Sequence, residues 1–508
     1  KVYMRNIREK IQDNMFSNLS ENFSIRDKYL NLGDYGRQGR KGSWISFILS
    51  LSIIIMFIWW LPISDSVSYN WSKIFQISNV TISLAIFILM AFSLNLHTGY
   101  TGMVNFGVIF FVGVGAVTVA LLTAPEEMHG YGWDILPAAI VAILISAFFG
   151  WALAYPTARL RTDYFAIVTI SLGEILRVLL SGEPLLRTGP ILSSIGLGNY
   201  PLPLKEWWFC GPGIVTGPEL EFTSPDICRS AVPELTTPAS MISDLLNLGE
   251  PAPYSLLLAI LGLILVILVW IILDKMMNSP WGRILKSIRE DEDVAQHHGH
   301  DVLTHKAYSL ALGAAIASLA GVLWAWKLTG FGPTFMAPAK STFLVWAAFI
   351  IGGAANNRGM IIGASIIVLM EFVFNVLVAA STPDLPLYST AGNIDNLFIW
   401  LVSEQWEVTT VFILVAVFGL FTKYQTIFEL GFWGALTFLF TAIMMDGARS
   451  LEPATNIFGV VSIAGANMAY VKLLLIGALM LFSLKFNPMG ILPEVPSRPV
   501  RPQKEEIQ

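Results

Sequence analysis

The sequence predicts an all-α protein: a polytopic transmembrane helical bundle with about 10 core spans and an extra helical pair, each span needing ~20 apolar residues. Three observations carry this. Of 508 residues, 55% are hydrophobic and only 13% charged, with mean hydropathy +0.63, too apolar for a soluble chain of this size. Stretches long enough to cross a bilayer recur throughout. Lys and Arg collect in alternate connections, as the positive-inside rule requires.

Taken in order, residues 1–43 are polar and basic, with Arg26, Lys28, Arg37, Arg40 and Lys41. No short apolar core with a cleavage site follows, so the stretch reads as a cytoplasmic arm and not a signal peptide. Its GRQGRKGS run at 36–43 lacks a Ser or Thr directly after the lysine and has no preceding strand. It is therefore read as a basic patch facing anionic lipid rather than a phosphate loop. Residues 44–380 form the expected transmembrane core. Its strong spans are 44–63, 77–94, 135–155, 255–273 and 307–326, and 470–486 is a further one near the end. Shorter or glycine-interrupted stretches at 108–123, 165–180, 342–352, 361–378, 408–421 and 428–445 bring the total to about 12. Threading them in order places the basic arm, Arg159, Arg161, the insert at 274–306, and tail residues Arg498 and Arg501 on one side. Glu126, Glu127 and the long 181–253 loop fall on the other. Both termini are then cytoplasmic.

The 181–253 loop is exterior, with Trp207, Trp208 and Phe209 expected as interface anchors. It holds both cysteines, Cys210 and Cys228. A disulfide closing the loop and two free thiols are both open readings, because spacing does not establish bonding geometry. Residues 381–469 alternate polar linkers with two modest spans and read as an inserted hairpin; removing them leaves both termini inside. Residues 470–508 are the last span and a cytoplasmic tail.

Residues 95–116, NLHTGYTGMVNFGVIFFVGVGA, are rich in glycine. Either they form an interrupted segment lining a pathway, with Tyr100, Thr101 and Asn105 as its polar groups, or the small residues serve helix packing. Glu174 and Arg177 share a helical face at i, i+3 and can pair; Glu174 is also a candidate pathway group, and Glu371 a second intramembrane carboxylate.

The insert reads SPWGRILKSIREDEDVAQHHGHDVLTHK from Ser279 to Lys306. Ser279, Pro280 and Trp281 punctuate the exit from a span, and one or two short polar helices follow outside the bilayer. Such a loop suits contact with another protein. Its His297, His298, His300 and His305 lack cysteines or a metalloenzyme carboxylate pattern and read as solvated. No nucleophile constellation, nucleotide loop, haem-attachment motif or zinc signature occurs in the sequence, so a non-enzymatic transport subunit without a cofactor is expected. A net charge of −5 gives no ground for a nucleic-acid partner.

Five segments, in order, resemble one family. They are 99–116; 158–177 (ARLRTDYFAIVTISLGEILR); 279–299; 343–364 (FLVWAAFIIGGAANNRGMIIGA); and the closing 486–494 (FNPMGILPE). Together they are similar to LivM-type permease subunits of branched-chain amino-acid ABC importers. The resemblance implies a second homologous permease subunit, two ATP-binding subunits, an extracytoplasmic solute-binding protein and a place in the cell membrane. It puts the ATPase contact at Gly282, Arg283 and Lys286, and at Arg289, Glu290, Asp291, Glu292, Asp293 and Gly299, the last ending a coupling helix. Related permeases carry urea or short amides, which stay open as solutes. An ion-coupled secondary transporter using Glu174 or Glu371 is the alternative mechanism.

Overall fold

The computed structural model describes residues 37–59, 73–157, 162–183, 186, 197–198, 200–211, 237–246, 251–338, 341–379, 389–390, 392–393, 405–421, 427–439, 475–481, 483–485, 489–492 and 494. The described residues are almost wholly helical. They run α1 (Arg37–Trp59), α2 (Lys73–Leu94), α3 (Val108–Thr123), α4 (Ile135–Thr157), α5 (Thr162–Gly182), the short α6 (Lys205–Cys210) and α7 (Pro238–Leu246), then α8 (Tyr254–Met277). Next come α9 (Pro280–Glu290), α10 (Glu292–His297), α11 (Val302–Leu328), α12 (Thr342–Gly352), α13 (Asn357–Ala379) and α14 (Gln405–Phe421). Apolar helices Ile427–Leu439 (α15) and Leu475–Lys485 (α16) follow. Among the described residues, each apolar stretch read as a span overlaps a helix. Six of these helices are long and apolar enough to cross a membrane.

Burial sorts them by position. α11 and α2 are buried on nearly every face, whereas α4, α5 and α8 bury one stripe and leave Ile, Leu and Phe outward. Outward apolar residues are what a lipid solvent asks for. α11 packs against α2, α3 and α4, while α8 lies on α2 and α5 on α3. In lipid there is little hydrophobic drive between helices, so close approach of small residues replaces it. Gly321 of α11 shows this: a Cβ there would sit 2.0 Å from the Val112 carbonyl oxygen of α3. α1 starts within the basic arm and packs on α8 through Trp44 and Phe47, 6.1 and 5.7 Å from the Trp270 ring.

At one end of the bundle the long loop is tied down. Leu197–Gly198 pairs antiparallel with Gly330–Phe331, and the Tyr200 hydroxyl donates to the Ala325 carbonyl at 2.5 Å. Trp207 stays exposed, but Trp208 and Phe209 are buried with Ala239 and Ala252. The Trp208 indole donates to the Ala252 carbonyl at 3.0 Å, so these two rings anchor the loop to itself rather than to an interface.

The connection from α11 to α12 enters the bundle. A 3-10 turn, Pro333–Met336, buries Pro333 and Met336, and Met336 lies against Gly113 in the middle of α3. α12 has 11 residues, about 16 Å at 1.5 Å per residue, roughly half the hydrocarbon thickness. The stretch 342–352 is thus half a crossing that begins inside the protein.

The described chain forms two compact units, one holding 68–369 with 1–61 and 476–508, the other 370–475 with 62–67. Within the second, α14 and α15 form an antiparallel helical hairpin: Gly419 meets Phe428, Gly431 meets Ala416, and Gly434 meets Phe412. The Phe412 and Phe438 rings stack at 5.2 Å.

Candidate functional site

The path from α2 to α3 is a broken helix. After Leu94 the chain widens into a π turn, Asn95–Tyr100, runs irregularly through 101–107, and restarts at Val108. Glycine permits the break: Gly102 has φ +81, and a Cβ on Gly99 would lie 2.2 Å from Asn95 Oδ1 and 2.7 Å from the Ala355 nitrogen. Away from water, the freed peptide groups need partners, and side chains supply them. Asn105 Oδ1 accepts from the Gly107 amide at 2.6 Å, and Thr169 Oγ1 of α5 accepts from the Phe106 amide at 3.1 Å. Asn95 Oδ1 accepts from the Ala355 amide at 2.8 Å while its Nδ2 donates to Asn357 Oδ1 at 2.9 Å. Thr101 Oγ1 lies 2.8 Å from the Leu96 carbonyl and 2.7 Å from Ser309 Oγ of α11.

Because its Oδ1 is fixed by Gly107, Asn105 turns its amide nitrogen to His97, 2.9 Å from Nδ1. Accepting there leaves the ring proton on Nε2. That atom is buried without a hydrogen bond of ordinary geometry, close to the Ser309 and Leu310 backbone and against Gly313.

The two interrupted crossings meet here. Phe106 stacks on Trp346 of α12 at 4.4 Å, and the Trp346 indole donates to the Asn105 carbonyl at 3.2 Å. Beside them is a packing gap too small for a water between Met90, Leu94, Asn105, Ile109, Thr342 and Val345, with the Thr342 hydroxyl buried and unpartnered. A second, apolar one lies under Gly107, Phe111, Leu153, Thr169 and Leu310. At the break a few convergent polar groups thus lie among apolar walls, and the gaps between them are no larger than about one water.

The polar insert folds beside this break as two helices. Pro280 starts α9, which buries Gly282, Leu285 and Ile288. Asp291, in extended conformation, ends α9 and caps α10 by accepting from the Val294 amide at 3.0 Å. Gly299 follows with φ +84, where an L side chain would be strained. Asp301 then caps α11, accepting from the Thr304 amide at 3.2 Å; those bonds with Thr304 hold its carboxyl below the usual aspartate range.

Arg289 joins the insert to the broken crossing. Its guanidinium donates to the Gly99 carbonyl at 2.6 Å, to Glu494 Oε2 at 2.8 Å and to Glu290 Oε1 at 2.9 Å. Half-burial alone would lower its pKa, but Glu290 and Glu494 hold it above the ordinary arginine value. Lys286 pairs with Glu494 Oε1 at 2.6 Å and lies 5.6 Å over the Tyr100 ring.

Of the pathway residues read from sequence, Tyr100, Thr101 and Asn105 are buried together in the break. Glu174 is not joined to them; it pairs with Arg177 at 2.7 Å, each about one-third exposed. Glu371 is half-buried on α13. In the insert, Arg283 and Asp293 are exposed, Glu292 pairs with the buried Lys306, and His297 and His298 turn Nδ1 to their own helix's carbonyls. Cys210 is buried and disulfide-bonded; Cys228 lies outside the described residues. Sequence reading missed Asn95, His97, Asn357 and Glu494. The closing NPMGILPE run was the available signal for Glu494.

A family model described as the permease component of a branched-chain amino acid transport system matches residues 76–388. The chain is 29% identical over 301 residues to the high-affinity branched-chain amino acid transport system permease protein LivM of Escherichia coli, covering 58% of this chain and 64% of that protein. The LivM protein of Salmonella typhimurium is 30% identical over the same shares. A probable branched-chain amino acid transport permease LivM of Methanocaldococcus jannaschii is 23% identical over 61% of this chain and 86% of its own length. The chain thus spans about two-thirds of the two bacterial relatives, 64% of each. No solved structure matches.

Proposed function

The chain belongs to the branched-chain amino acid transport system permease family, and from that premise we propose that it is the membrane permease subunit of an ATP-driven importer. In this reading it works with a second homologous permease, two ATP-binding subunits and an extracytoplasmic solute-binding protein. Residues 274–306 face the cytoplasm with both termini, and α9 and α10 receive the ATPase. The solute passes the break at Tyr100, Thr101 and Asn105, where two interrupted crossings leave polar groups among apolar walls. Branched-chain or related amino acids are the proposed cargo. The description of the matching family, a branched-chain amino acid transport system, supports these over urea or short amides.

The observation that carries this reading is the Arg289 guanidinium, which reaches from the polar insert to the Gly99 carbonyl inside the break. A push on α9 has a direct route to the pathway through that bond. A proton-coupled carrier built on Glu174 has less support, since that carboxylate is already paired with Arg177. The end of the family match at 388 supports reading 381–469 as an addition to the common plan.

The test is uptake into proteoliposomes. The full complex with binding protein should accumulate leucine only with ATP inside, and this chain alone should accumulate nothing under a proton or sodium gradient. Gradient-driven uptake by the lone chain would overturn the reading; ATP-driven uptake of urea in place of leucine would overturn the cargo.

A further inference from the structure

Glu494 lies in the closing segment, 205 residues from Arg289, yet its two oxygens engage two cations one turn apart on α9. Lys286 and Arg289 are at i, i+3 and share a helical face. With side chains 23–28% exposed, these pairs are partly shielded from solvent, and charge-assisted bonds of this kind hold better than surface pairs. The segment that carries Glu494 is itself fixed. The Ile491 and Leu492 amides donate to the Ile351 and Gly352 carbonyls at 2.8 and 3.0 Å, and Asn356 Nδ2 donates to the Leu492 carbonyl at 3.2 Å. Asn95 in the break accepts from Ala355 in the same turn between α12 and α13. Three elements therefore close a ring: α9, the broken crossing at 95–107, and the turn at 353–356.

We propose that Glu494 is a positioning residue that makes these three elements move as one body, so that displacement of α9 is delivered to the pathway instead of being absorbed. The inference rests on the proposed reading of α9 as the element the ATPase moves. Without the carboxylate, Arg289 keeps Glu290, which is 73% exposed and on its own helix. It also keeps the single bond to Gly99. The turn at 353–356 then loses its tie to α9, and a displacement of α9 reaches the 95–107 crossing through the Gly99 bond alone while α12 stays in place.

The experiment uses the full complex. With E494Q, assembly and ATP hydrolysis persist while ATP consumed per solute transported rises at least fivefold, roughly the lower bound of a 1–3 kcal/mol coupling; E494D restores part of the ratio. A ratio within about twofold of wild type for E494Q overturns the inference. A second measurement does not depend on that variant's assembly. Spin labels at the exposed positions Ser287→Cys and Met489→Cys, with Glu494 intact, should give one narrow distance in both the nucleotide-free and ATP-trapped complex. A distance that changes with nucleotide overturns the single-body movement. If the wild-type complex shows no ATP-dependent uptake, the permease reading fails and takes the inference with it, whereas normal uptake with a mobile label pair removes the inference alone.

Discussion

Asn105 satisfies one backbone amide with its oxygen and orients a buried histidine with its nitrogen. Asn105→Ala strands both groups away from water, and each unsatisfied buried group costs about 1–3 kcal/mol. The expected outcome is a lower melting temperature for the purified complex together with lost uptake; unchanged melting would mean the bonds carry little. Asp301 offers a pH test. Its folded carboxyl lies below the ordinary value of 3.8, so its stabilisation of the α11 cap is complete above that value and is lost as pH falls through the lower folded value. Between neutral pH and pH 3, wild type should lose more of the cap than Asp301→Ala, read by hydrogen exchange at Thr304 relative to a distant reference amide. Residue-level legibility in the sequence was uneven for a physical reason. Tyr100, Thr101 and Asn105 stand out locally as polar groups in an apolar, glycine-rich run. Asn357 and Glu494 gain meaning only through partners 262 and 205 residues away, and a sequence read locally holds no trace of that pairing.

The helices themselves were legible because a bilayer demands long apolar runs, and the two ends of the α9–α10 pair were marked by Pro280, a helix starter, and Gly299, a helix stop, whereas the division at Asp291 was left open between one helix and two. The dip of the 333–336 turn into the bundle was not legible: the turn closes on local bonds, Phe335 to Gly332 and Ala337 to Thr334, and four residues are too few to leave a periodic signal. Trp208 and Phe209 misled for a similar reason, since an aromatic run reads the same whether it faces an interface or its own loop. At this scale Gly321→Ala places a Cβ against the Val112 carbonyl and should destabilise by about 1–3 kcal/mol through overpacking, seen as a reduced melting temperature. Gly299→Ala meets nothing within 4 Å, so it adds only the left-handed strain of about 1–2 kcal/mol. It should leave insertion intact while raising ATP consumed per solute transported. Normal coupling in that variant would remove α10 from the docking assignment.

At the largest scale, the first of the two units is a bundle with α11 at its centre, and it carries two interrupted crossings that meet at Asn105 and Trp346, with the polar insert bonded to one of them. Labelling from each side of the membrane should place His298 and Glu494 on the same, cytoplasmic face. The central claim is that this chain is a gate moved by a separate ATP-hydrolysing engine, and ATP dependence of uptake in reconstituted vesicles tests it most directly. The account predicts leucine accumulation only when the permease pair, the ATP-binding subunits with luminal ATP, and the binding protein are all present. Solute concentrated by vesicles holding this chain alone would contradict it.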